Sequence, residues 1–380
     1  MQAFAPRRDL RSVSDAATLL LVAVSARALA VAARRAGYAA VAIDAFGDSD
    51  ARALCREMWV VENGMGGFAG VDLEPVVARL CAVHAPVGVV YGSGFDDCPG
   101  ALAPLPRYAP LLGTPSQALE RAKDPAGFAR ACAEAGLAHP EIRFAPPLSP
   151  AQWLVKRRGG CGGLHVLPAS AGRAQRPHEY WQARVDGRAV SLLFVRDSLA
   201  LTAIGWSEQW TAPAAGAPFR YGGAAGPLDF EPAPDLTPKL AALSGALGVR
   251  GLASADFLDD GERLWLLELN PRPGATLDVF DDDDDCLIAR HIAAFADGPA
   301  APAEARRPRA AEIVYADGDF VVPAGEWPDW AADRPAAGAE IAAGAPVCTV
   351  YANDASVAGA KGLVDERSRR IRAWLMEGAR

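Results

Sequence analysis

The stretch LWLLELNPRPGATLDVF, residues 264–280, combines a strand pattern with polar side chains at the strand's end. Four apolar residues lead to Glu268 and Asn270, and prolines follow at positions 271 and 273. Residues i and i+2 of a strand project from the same face, so Glu268 and Asn270 present their oxygen atoms in one direction. Proline has no amide hydrogen and ends the ladder there. The stretch predicts a strand that ends by holding a ligand.

A β-hairpin brings a second carboxylate to this point. Residues 252–270 read LASADFLDDGERLWLLELN, in which DDGE is a turn between two strands. The hairpin therefore places Asp256 beside Glu268 and Asn270, a set of hard oxygen donors that suits Mg²⁺ rather than zinc. In the plainer alternative, Glu268 and Asn270 end a strand at the solvent and Asp256 is an ordinary hairpin residue.

A basic, glycine-rich loop offers the phosphate side of such a site. The loop reads KRRGGCGG over residues 156–163, and Lys156 contributes a positive charge. Glycines let backbone amides approach phosphate oxygens closely. The spacing differs from that of a P-loop, which argues against a Walker-type NTPase. Cys161 has no base near it in sequence and is interpreted as a small filler residue. The candidate phosphate-binding glycines are Gly159, Gly160, Gly162 and Gly163.

Composition restricts the class of protein. The chain has 380 residues, 51% of them hydrophobic, a formal charge of −8 and a pI of about 5.3, which argues against a general nucleic-acid binder. Seven scattered cysteines without a CxxC pair indicate reduced thiols, and five histidines without an HExxH pattern disfavour a zinc enzyme. The apolar run at 19–25 is too short to span a bilayer. We expect a cytoplasmic protein without a membrane partner.

The pattern of elements changes along the chain. Alternating strand and helix patterns over the first hundred residues predict a parallel sheet, without the GxGxxG of a dinucleotide-binding domain. Residues 114–136 are helical in pattern, and residues 179–210 suggest three strands of an antiparallel meander. A Pro/Ala/Arg-rich linker at roughly 299–311 precedes a tail with short β-elements.

These features together resemble the ATP-grasp superfamily. The resemblance lies in Lys123, in Lys156 with its glycine loop, in a hinge segment around Gln182, and in the metal set on the hairpin; it covers roughly residues 90–300. It implies an α/β (α+β) architecture with three parts. They are a Rossmann-like preliminary domain over 1–113, an ATP-grasp domain over 114–300, and a linker with a small C-terminal β-rich segment over 301–380.

The resemblance also implies roles for individual residues. Lys123 and Lys156 would contact the phosphates of ATP, with Mg²⁺, or Mn²⁺ in its place, at the hairpin. Arg272 would neutralise an acyl-phosphate or tetrahedral intermediate, helped by backbone amides of PGAT at 273–276. The ribose-binding acid of the family is Ala189 here, which leaves ribose recognition unassigned. The adenine would be lined, largely through backbone groups, by the hinge residues Glu179, Gln182, Ala183 and Arg184.

The implied activity is an ATP-dependent carboxylate–amine ligase with small-molecule substrates, and a homo-oligomer is compatible with it. A narrower resemblance joins GYAAVAIDAFGDSD, ELNPRPGATLDVF and the tail to ATP-grasp proteins of tetrahydromethanopterin- and methanofuran-dependent one-carbon metabolism in methylotrophic bacteria. It implies a ligation such as that of glutamate with tyramine. The alternatives are a carboxyphosphate-type carboxylase and a non-catalytic ATP sensor.

Several of these residues also have plainer interpretations. Lys123 could be a helix-surface lysine, Gln182 an ordinary sheet position, and Arg272 the partner of Asp278. The acidic run at 281–285 is more typical of a solvated helix start than of a second metal site.

Overall fold

A parallel four-stranded sheet forms the N-terminal part of the computed structural model, which describes residues 16–62, 66–173, 175–296 and 306–378. The strands are β1 (Thr18–Val22), β2 (Ala39–Asp44), β3 (Cys55–Val60) and β4 (Gly88–Tyr91), in the order β3-β2-β1-β4. The helices are α1 (Arg27–Arg35), α2 (Ser49–Leu54) and α3 (Glu74–His84). Every residue of β1, β2 and β4 is buried, as expected for parallel strands covered on both faces.

The two faces of this sheet belong to different cores. Leu20 and Val41 point toward a core that includes Leu80 of α3. Leu19 and Ala42 point toward a core shared with α1 and with the chain that follows the hairpin. The parallel sheet is thereby packed against the rest of the molecule through its α1 face.

A second, antiparallel sheet carries the glycine loop. Helices α4 (Ser116–Lys123) and α5 (Pro125–Glu134) precede it. Its strands are β5 (Ile142–Arg143), β6 (Trp153–Arg157), β7 (Val166–Pro168) and β8 (Glu179–Ala183), in the order β5-β8-β6-β7. The glycine loop is the connection between β6 and β7. Short 3-10 helices lie at Pro99–Leu102, Leu105–Arg107 and Pro150–Gln152.

An eight-stranded sheet, in the order β13-β12-β9-β10-β11-β14-β18-β16, is the largest element. Its first five strands in sequence are β9 (Arg188–Arg196), β10 (Leu201–Thr211), β11 (Tyr221–Gly226), β12 (Gly251–Asp259) and β13 (Leu264–Asn270). Its last three are β14 (Arg309–Tyr315), β16 (Ala331–Ala332) and β18 (Pro346–Asn353). Strands β15 (Phe320–Val321) and β17 (Glu340–Ile341) pair separately. The helices are α6 (Leu236–Leu247), α7 (Leu277–Phe280), α8 (Leu287–Ala293) and α9 (Val357–Gly378).

The predicted meander over 179–210 is wrong in one respect. Strands β9 and β10 pair antiparallel, but β8 pairs with β5 and β6 of the other sheet. Local alternation is the same in either sheet, and the turn at Asp186 and Gly187 is a crossing between sheets rather than a hairpin. This crossing follows Gln182, around which the hinge segment is predicted.

The tail is not a separate β-element. Strand β14 pairs with β11 and extends the large sheet, and β18 pairs with β14. The 22-residue helix α9, which the sequence patterns do not predict, packs on these strands. The predicted linker at 299–311 falls partly outside the described residues, and its last residues belong to β14.

The acidic run at 281–285 is only partly solvated. Asp281 accepts hydrogen bonds from the amide of Leu287 and from Arg35, and Asp285 forms ion pairs with Arg290 and Arg306. Asp281 is 3% exposed, so the prediction of a solvated run is wrong at these two positions. Arg35 lies 246 positions from Asp281 in sequence, so local patterns do not predict this pairing.

The mixed α/β architecture, with parallel and antiparallel sheets, confirms the predicted fold class. Within the described part of the chain, none of the helices combines the length and apolar character needed to cross a bilayer.

Candidate active site

The hairpin of β12 and β13 brings the three predicted metal ligands together. Asp256 pairs with Glu268 in the ladder, and Asn270 lies opposite Ser254. The Asn270 Nδ2 is 2.9 Å from Asp256 Oδ2 and 3.4 Å from Glu268 Oε1. The carboxyl groups and the amide therefore face one point, as their strand positions predict.

Lys123, at the end of α4, reaches into this set. Its Nζ donates to Asn270 Oδ1 at 2.7 Å and lies 3.7 Å from Glu268 Oε2. The residue is 9% exposed, so it is not the surface lysine of the plainer interpretation. Its ammonium group lies among the predicted metal ligands, a position next to any phosphate that a metal there would bind.

Asp96, which the sequence analysis does not identify, joins Lys123 to Arg272. Its carboxylate is 3.1 Å from Lys123 Nζ and 3.0 Å from Arg272 Nε, and the residue is 3% exposed. Burial alone would raise its pKa, but Arg272 and Lys123 lower the pKa of Asp96 to about 2. The signal that could have found it is an acid just after β4, at the carboxyl edge of a parallel sheet, where ligands bind.

Arg272 is buried beside the hairpin and does not form a surface ion pair. Its side chain is 9% exposed and pairs with Asp96, whereas Asp278 pairs with Arg27. The alternative pairing of Arg272 with Asp278 is therefore wrong. The PGAT segment leads from Arg272 into α7, and Leu277 donates its amide to Gly274 within it. The hairpin cluster is hereafter the set Asp96, Lys123, Asp256, Glu268, Asn270 and Arg272.

Two further polar side chains orient Asp256. Ser191 Oγ donates to Asp256 Oδ1 at 2.6 Å, and Gln209 Nε2 lies 3.3 Å from the same oxygen. Ser191 stands opposite Asp256 in the β9–β12 ladder. Local sequence patterns do not predict either contact, because only the strand pairing brings these residues to Asp256.

The charges of the cluster favour a cation at its oxygen atoms. Desolvation and the neighbouring Glu268 raise the pKa of Asp256. Desolvation opposes ionisation of Glu268 as well, but Lys123 and Lys156 lower the pKa of Glu268 below its ordinary value. Two acids with pKa values pushed apart in this way share negative charge that a bound cation would stabilise.

The donor set fits Mg²⁺ only if the amide takes part. In the described part of the chain, no three His, Cys, Asp or Glu side chains are grouped closely enough to hold a metal ion. A metal at the hairpin would need the Asn270 oxygen beside Asp256 and Glu268. In the structure the amide nitrogen faces the two carboxylates and the oxygen accepts from Lys123 at 2.7 Å, so the amide would have to rotate to offer its oxygen to the metal. Two carboxylates and one amide are sufficient for Mg²⁺, which keeps water and phosphate ligands.

Lys156 and Gln182 form a buried pair across the antiparallel sheet. Lys156 Nζ donates to Gln182 Oε1 at 3.2 Å, and the two residues are 6% and 2% exposed. Tyr180, two residues from Gln182 and on the same face of β8, lines the cavity described below. Gln182 is thus more than an ordinary sheet position.

The other predicted hinge residues have partners of their own. Glu179 forms a bidentate ion pair with Arg173 at 2.8 Å, and the Arg184 side chain pairs with Asp186. The amides of Ala183 and Arg184 donate to the carbonyls of Glu141 and Gln152. Adenine contacts from these two residues would therefore come from carbonyl oxygens.

The glycine loop packs so closely against its neighbours, including Asp96 of the hairpin cluster, that added side chains would collide. A Cβ on Gly159, at φ +70°, would lie 2.4 Å from the Asp96 carbonyl oxygen. A Cβ on Gly163, at φ +73°, would lie 1.8 Å from the Phe219 carbonyl oxygen. Glycine is needed at both positions for conformation and for space.

A cavity of about 40 Å³ lies between the glycine loop, α4 and β13. Its lining includes Lys123, Glu268 and His165, whose Nδ1 is buried without a hydrogen-bond partner among the described residues. Burial and Lys156 lower the pKa of His165 to about 4, so its ring is neutral near pH 7. Ligand sites for molecules of nucleotide size measure roughly 300–1,000 Å³. The cavity is therefore smaller than a nucleotide needs.

Comparison with known proteins agrees with this geometry. Residues 122–276 match the model of the ATP-grasp domain. No curated protein sequence matches the chain significantly.

Among solved structures, N5-carboxyaminoimidazole ribonucleotide synthetase from Thermus thermophilus is 17% identical with a TM-score of 0.66, covering 92% of this chain and 98% of that one. The N5-carboxyaminoimidazole synthetase from Staphylococcus aureus, complexed with ADP, is 14% identical with a TM-score of 0.66, covering 94% and 96%. The biotin carboxylase domain of the Hydrogenobacter thermophilus 2-oxoglutarate carboxylase, in complex with MgADP and bicarbonate, is 11% identical with a TM-score of 0.67, covering 88% and 86%. Residues 122–276 are therefore similar to an ATP-grasp domain, and the fold of the chain is the ATP-grasp fold.

Proposed function

We propose that the protein is an ATP-dependent ligase that joins a carboxylate to an amine through an acyl phosphate. The observation that carries the proposal is the hairpin cluster, in which hydrogen bonds and ion pairs run from Asp256 through Asn270, Lys123 and Asp96 to Arg272. A protein that only bound ATP would have no need of Arg272 held by a buried carboxylate at this place.

In the proposed reaction, an oxygen of the substrate carboxylate attacks the γ-phosphorus of ATP, and the bond to ADP breaks. The amine nitrogen then attacks the acyl carbon, phosphate leaves, and the nitrogen loses a proton to give the amide. Lys123 and Lys156 bind phosphate oxygens, and Arg272, held in place by Asp96, stabilises the negative charge that develops. Mg²⁺ at Asp256, Glu268 and Asn270 would neutralise charge on the transferred phosphate.

We further propose that the ligation serves the biosynthesis of a one-carbon carrier of the methanofuran or tetrahydromethanopterin type. This narrower assignment is supported by the resemblance of residues 37–50 and 268–280 and of the tail to proteins of that metabolism. Glutamate and tyramine are the first substrates to test.

A carboxyphosphate-type carboxylase is the second candidate. It is favoured by the solved structures, since the similar proteins include N5-carboxyaminoimidazole synthetases and biotin carboxylases. In that reaction bicarbonate would take the place of the organic carboxylate, and the same lysines and arginine would serve.

The test is ADP and phosphate release from Mg-ATP by the purified chain. Glutamate or bicarbonate is added with each of a set of amines, tyramine among them, and products are identified by mass. Release that requires both an organic acid and an amine supports the ligase, and release with bicarbonate supports the carboxylase. Nucleotide binding without release in every mixture would indicate the sensor instead and contradict both.

A further inference from the structure

A second acidic cluster lies at the carboxyl edge of the parallel sheet. We call it the Asp48 cluster, and it consists of Asp44, Asp48, Asp50 and Asp333. Asp44 accepts hydrogen bonds from the amides of Ala26, Phe46 and Gly47 at 2.6–2.7 Å. Asp50 accepts from the amides of residues 333 and 334 at 2.9 Å.

Arg27 and Asp333 of this region form an ion pair. Arg27 is 5% exposed and donates to Asp333 at 2.8 Å and to Asp278 at 2.7 Å. One guanidinium thus serves two carboxylates. Ser25 donates to Asp333 as well, at 2.9 Å.

Asp48 differs from its neighbours because its carboxylate has no hydrogen bond or ion pair with any described residue. It is 8% exposed and occupies the N-cap position of α2, yet it makes no capping hydrogen bond. An aspartate at an N-cap ordinarily accepts from the first turn of its helix. Buried carboxylates ordinarily accept hydrogen bonds or form ion pairs. One that does neither with the described residues suggests a ligand from outside the chain.

The edge that carries Asp48 is the edge that carries the hairpin cluster. Val24 donates its amide to Ser93, and Gly92 to Val22, which fixes the ends of β1 and β4 side by side. A Cβ on Gly92 would lie 3.8 Å from the carbonyl oxygen of Pro273, next to Arg272. Asp44 and Asp48 follow β2, the neighbour of β1 on its other side.

We infer that Asp48 binds the ammonium group of the amine substrate. This rests on the proposed ligase, which needs a second substrate beside the acyl phosphate, and it names the charge that substrate carries. Asp48 faces Asp44, Asp50 and Asp333, so the local field favours a cation. A metal ion is disfavoured because the other three carboxylates already accept from amides or from Arg27, and one free carboxylate suits a single ammonium.

The experiment is calorimetric titration of the full chain with primary amines, namely tyramine, putrescine and ethylamine. Each is compared with a neutral molecule of similar shape, such as 4-ethylphenol for tyramine. We expect at least one amine to bind the wild type, and Asp48→Asn to weaken its binding by about tenfold or more. Asp48→Glu, which keeps the charge, should restore part of the affinity. Asp72→Asn, an exposed acid before α3, is the control and should bind as the wild type does.

Several results would overturn the Asp48 site: no amine in the set binds, the neutral analogue binds equally well, or Asp48→Asn binds like the wild type. Circular dichroism and ATP affinity of Asp48→Asn must match the wild type, so that a folding defect is not read as lost recognition. Binding that depends on Asp48 without amine-dependent ADP release would contradict the ligase and support the site. If ADP release depends on an amine but Asp48→Asn binds that amine as the wild type does, the ligase is supported and the Asp48 site is contradicted.

Discussion

The hairpin cluster and the Asp48 cluster are two groups of acids at one edge of the parallel sheet, and they handle their charge differently. In the hairpin cluster the acids lie beside Lys123, Arg272 or Asn270, each within 4 Å. In the Asp48 cluster four acids lie near Arg27, and Asp48 receives no hydrogen bond from any described residue. Under the proposed function, the first cluster holds phosphate and metal between charges of both signs, and the second receives positive charge.

The largest effect is expected from the hairpin cluster itself. Glu268→Ala or Asp256→Asn should lower ATP turnover by roughly a hundred- to a thousandfold, because either change removes a predicted metal ligand beside the transferred phosphate. ADP release under saturating Mg-ATP measures it.

Glu262→Ala, an exposed acid in the turn of the same hairpin, is the control and should retain full turnover. Full activity in Asp256→Asn or Glu268→Ala would show that the metal assignment is wrong, and the two clusters would no longer differ in function.

The next effect concerns the balance of charge in the hairpin cluster. Asp96→Asn leaves the buried Arg272 and Lys123 without their counter-charge, which should cost roughly 3–5 kcal/mol of stability. Urea denaturation measures it, with Asp97→Asn, the next residue along the chain, as the control. A loss of less than about 1 kcal/mol would mean that the cluster does not depend on charge pairing.

A smaller effect is expected for phosphate binding. Lys156→Ala removes a positive charge whose one described hydrogen bond goes to Gln182, so affinity for ATP should fall by roughly ten- to a hundredfold. Isothermal titration with ATP measures the change. Unchanged affinity would move the phosphate site away from the glycine loop. Arg143→Ala, which removes an exposed positive charge from β5 of the same sheet, is the control.

The smallest expected effect is on the pH dependence of thermal stability, to which Asp48 should contribute. Burial and the nearby acids raise the pKa of Asp48 to about 8 in the folded chain, from about 4 in the unfolded chain. Between pH 4 and pH 8 the folded state therefore holds a proton on Asp48 that the unfolded state has lost. The stability contributed by this proton is complete below about pH 4 and is lost as pH rises through about 8. Tm of the wild type should fall by several degrees relative to Asp48→Asn between pH 5 and pH 9.

Parallel Tm curves for the two proteins would contradict this. A bound amine, whose ammonium group displaces the proton from the Asp48 carboxylate, should reduce the difference. The charged or titratable groups that act on Asp48 are Asp50 of its own helix and, from neighbouring elements, Asp44, Arg27, Asp333 and Cys348.

Local patterns in the sequence predict the parts of the molecule that are formed by neighbouring residues. The first strand, helix and strand, the hairpin of Asp256 and Glu268, and the glycine loop all follow from spacing within about twenty residues. The metal set could be proposed for that reason, since one hairpin carries it.

Residues that meet only through the tertiary fold could not be found in this way. Asp96 reaches Arg272 across 176 positions of sequence, and Ser191 reaches Asp256 across 65. Strand β8 has the same alternation of apolar and polar residues as its neighbours, so the local sequence does not predict which sheet it joins. Asp281 and Asp285 look solvated until Arg35 and Arg306 are brought to them.

The place of β14 in the large sheet has a consequence for synthesis on the ribosome. Strand β11 pairs on one side with β10 and on the other with β14, which lies more than eighty residues later. Until β14 has emerged, β11 presents an unpaired edge that can associate with other chains. Nascent chains of this protein should therefore bind chaperones late in translation, when the ATP-grasp domain is already complete in sequence but its sheet is not.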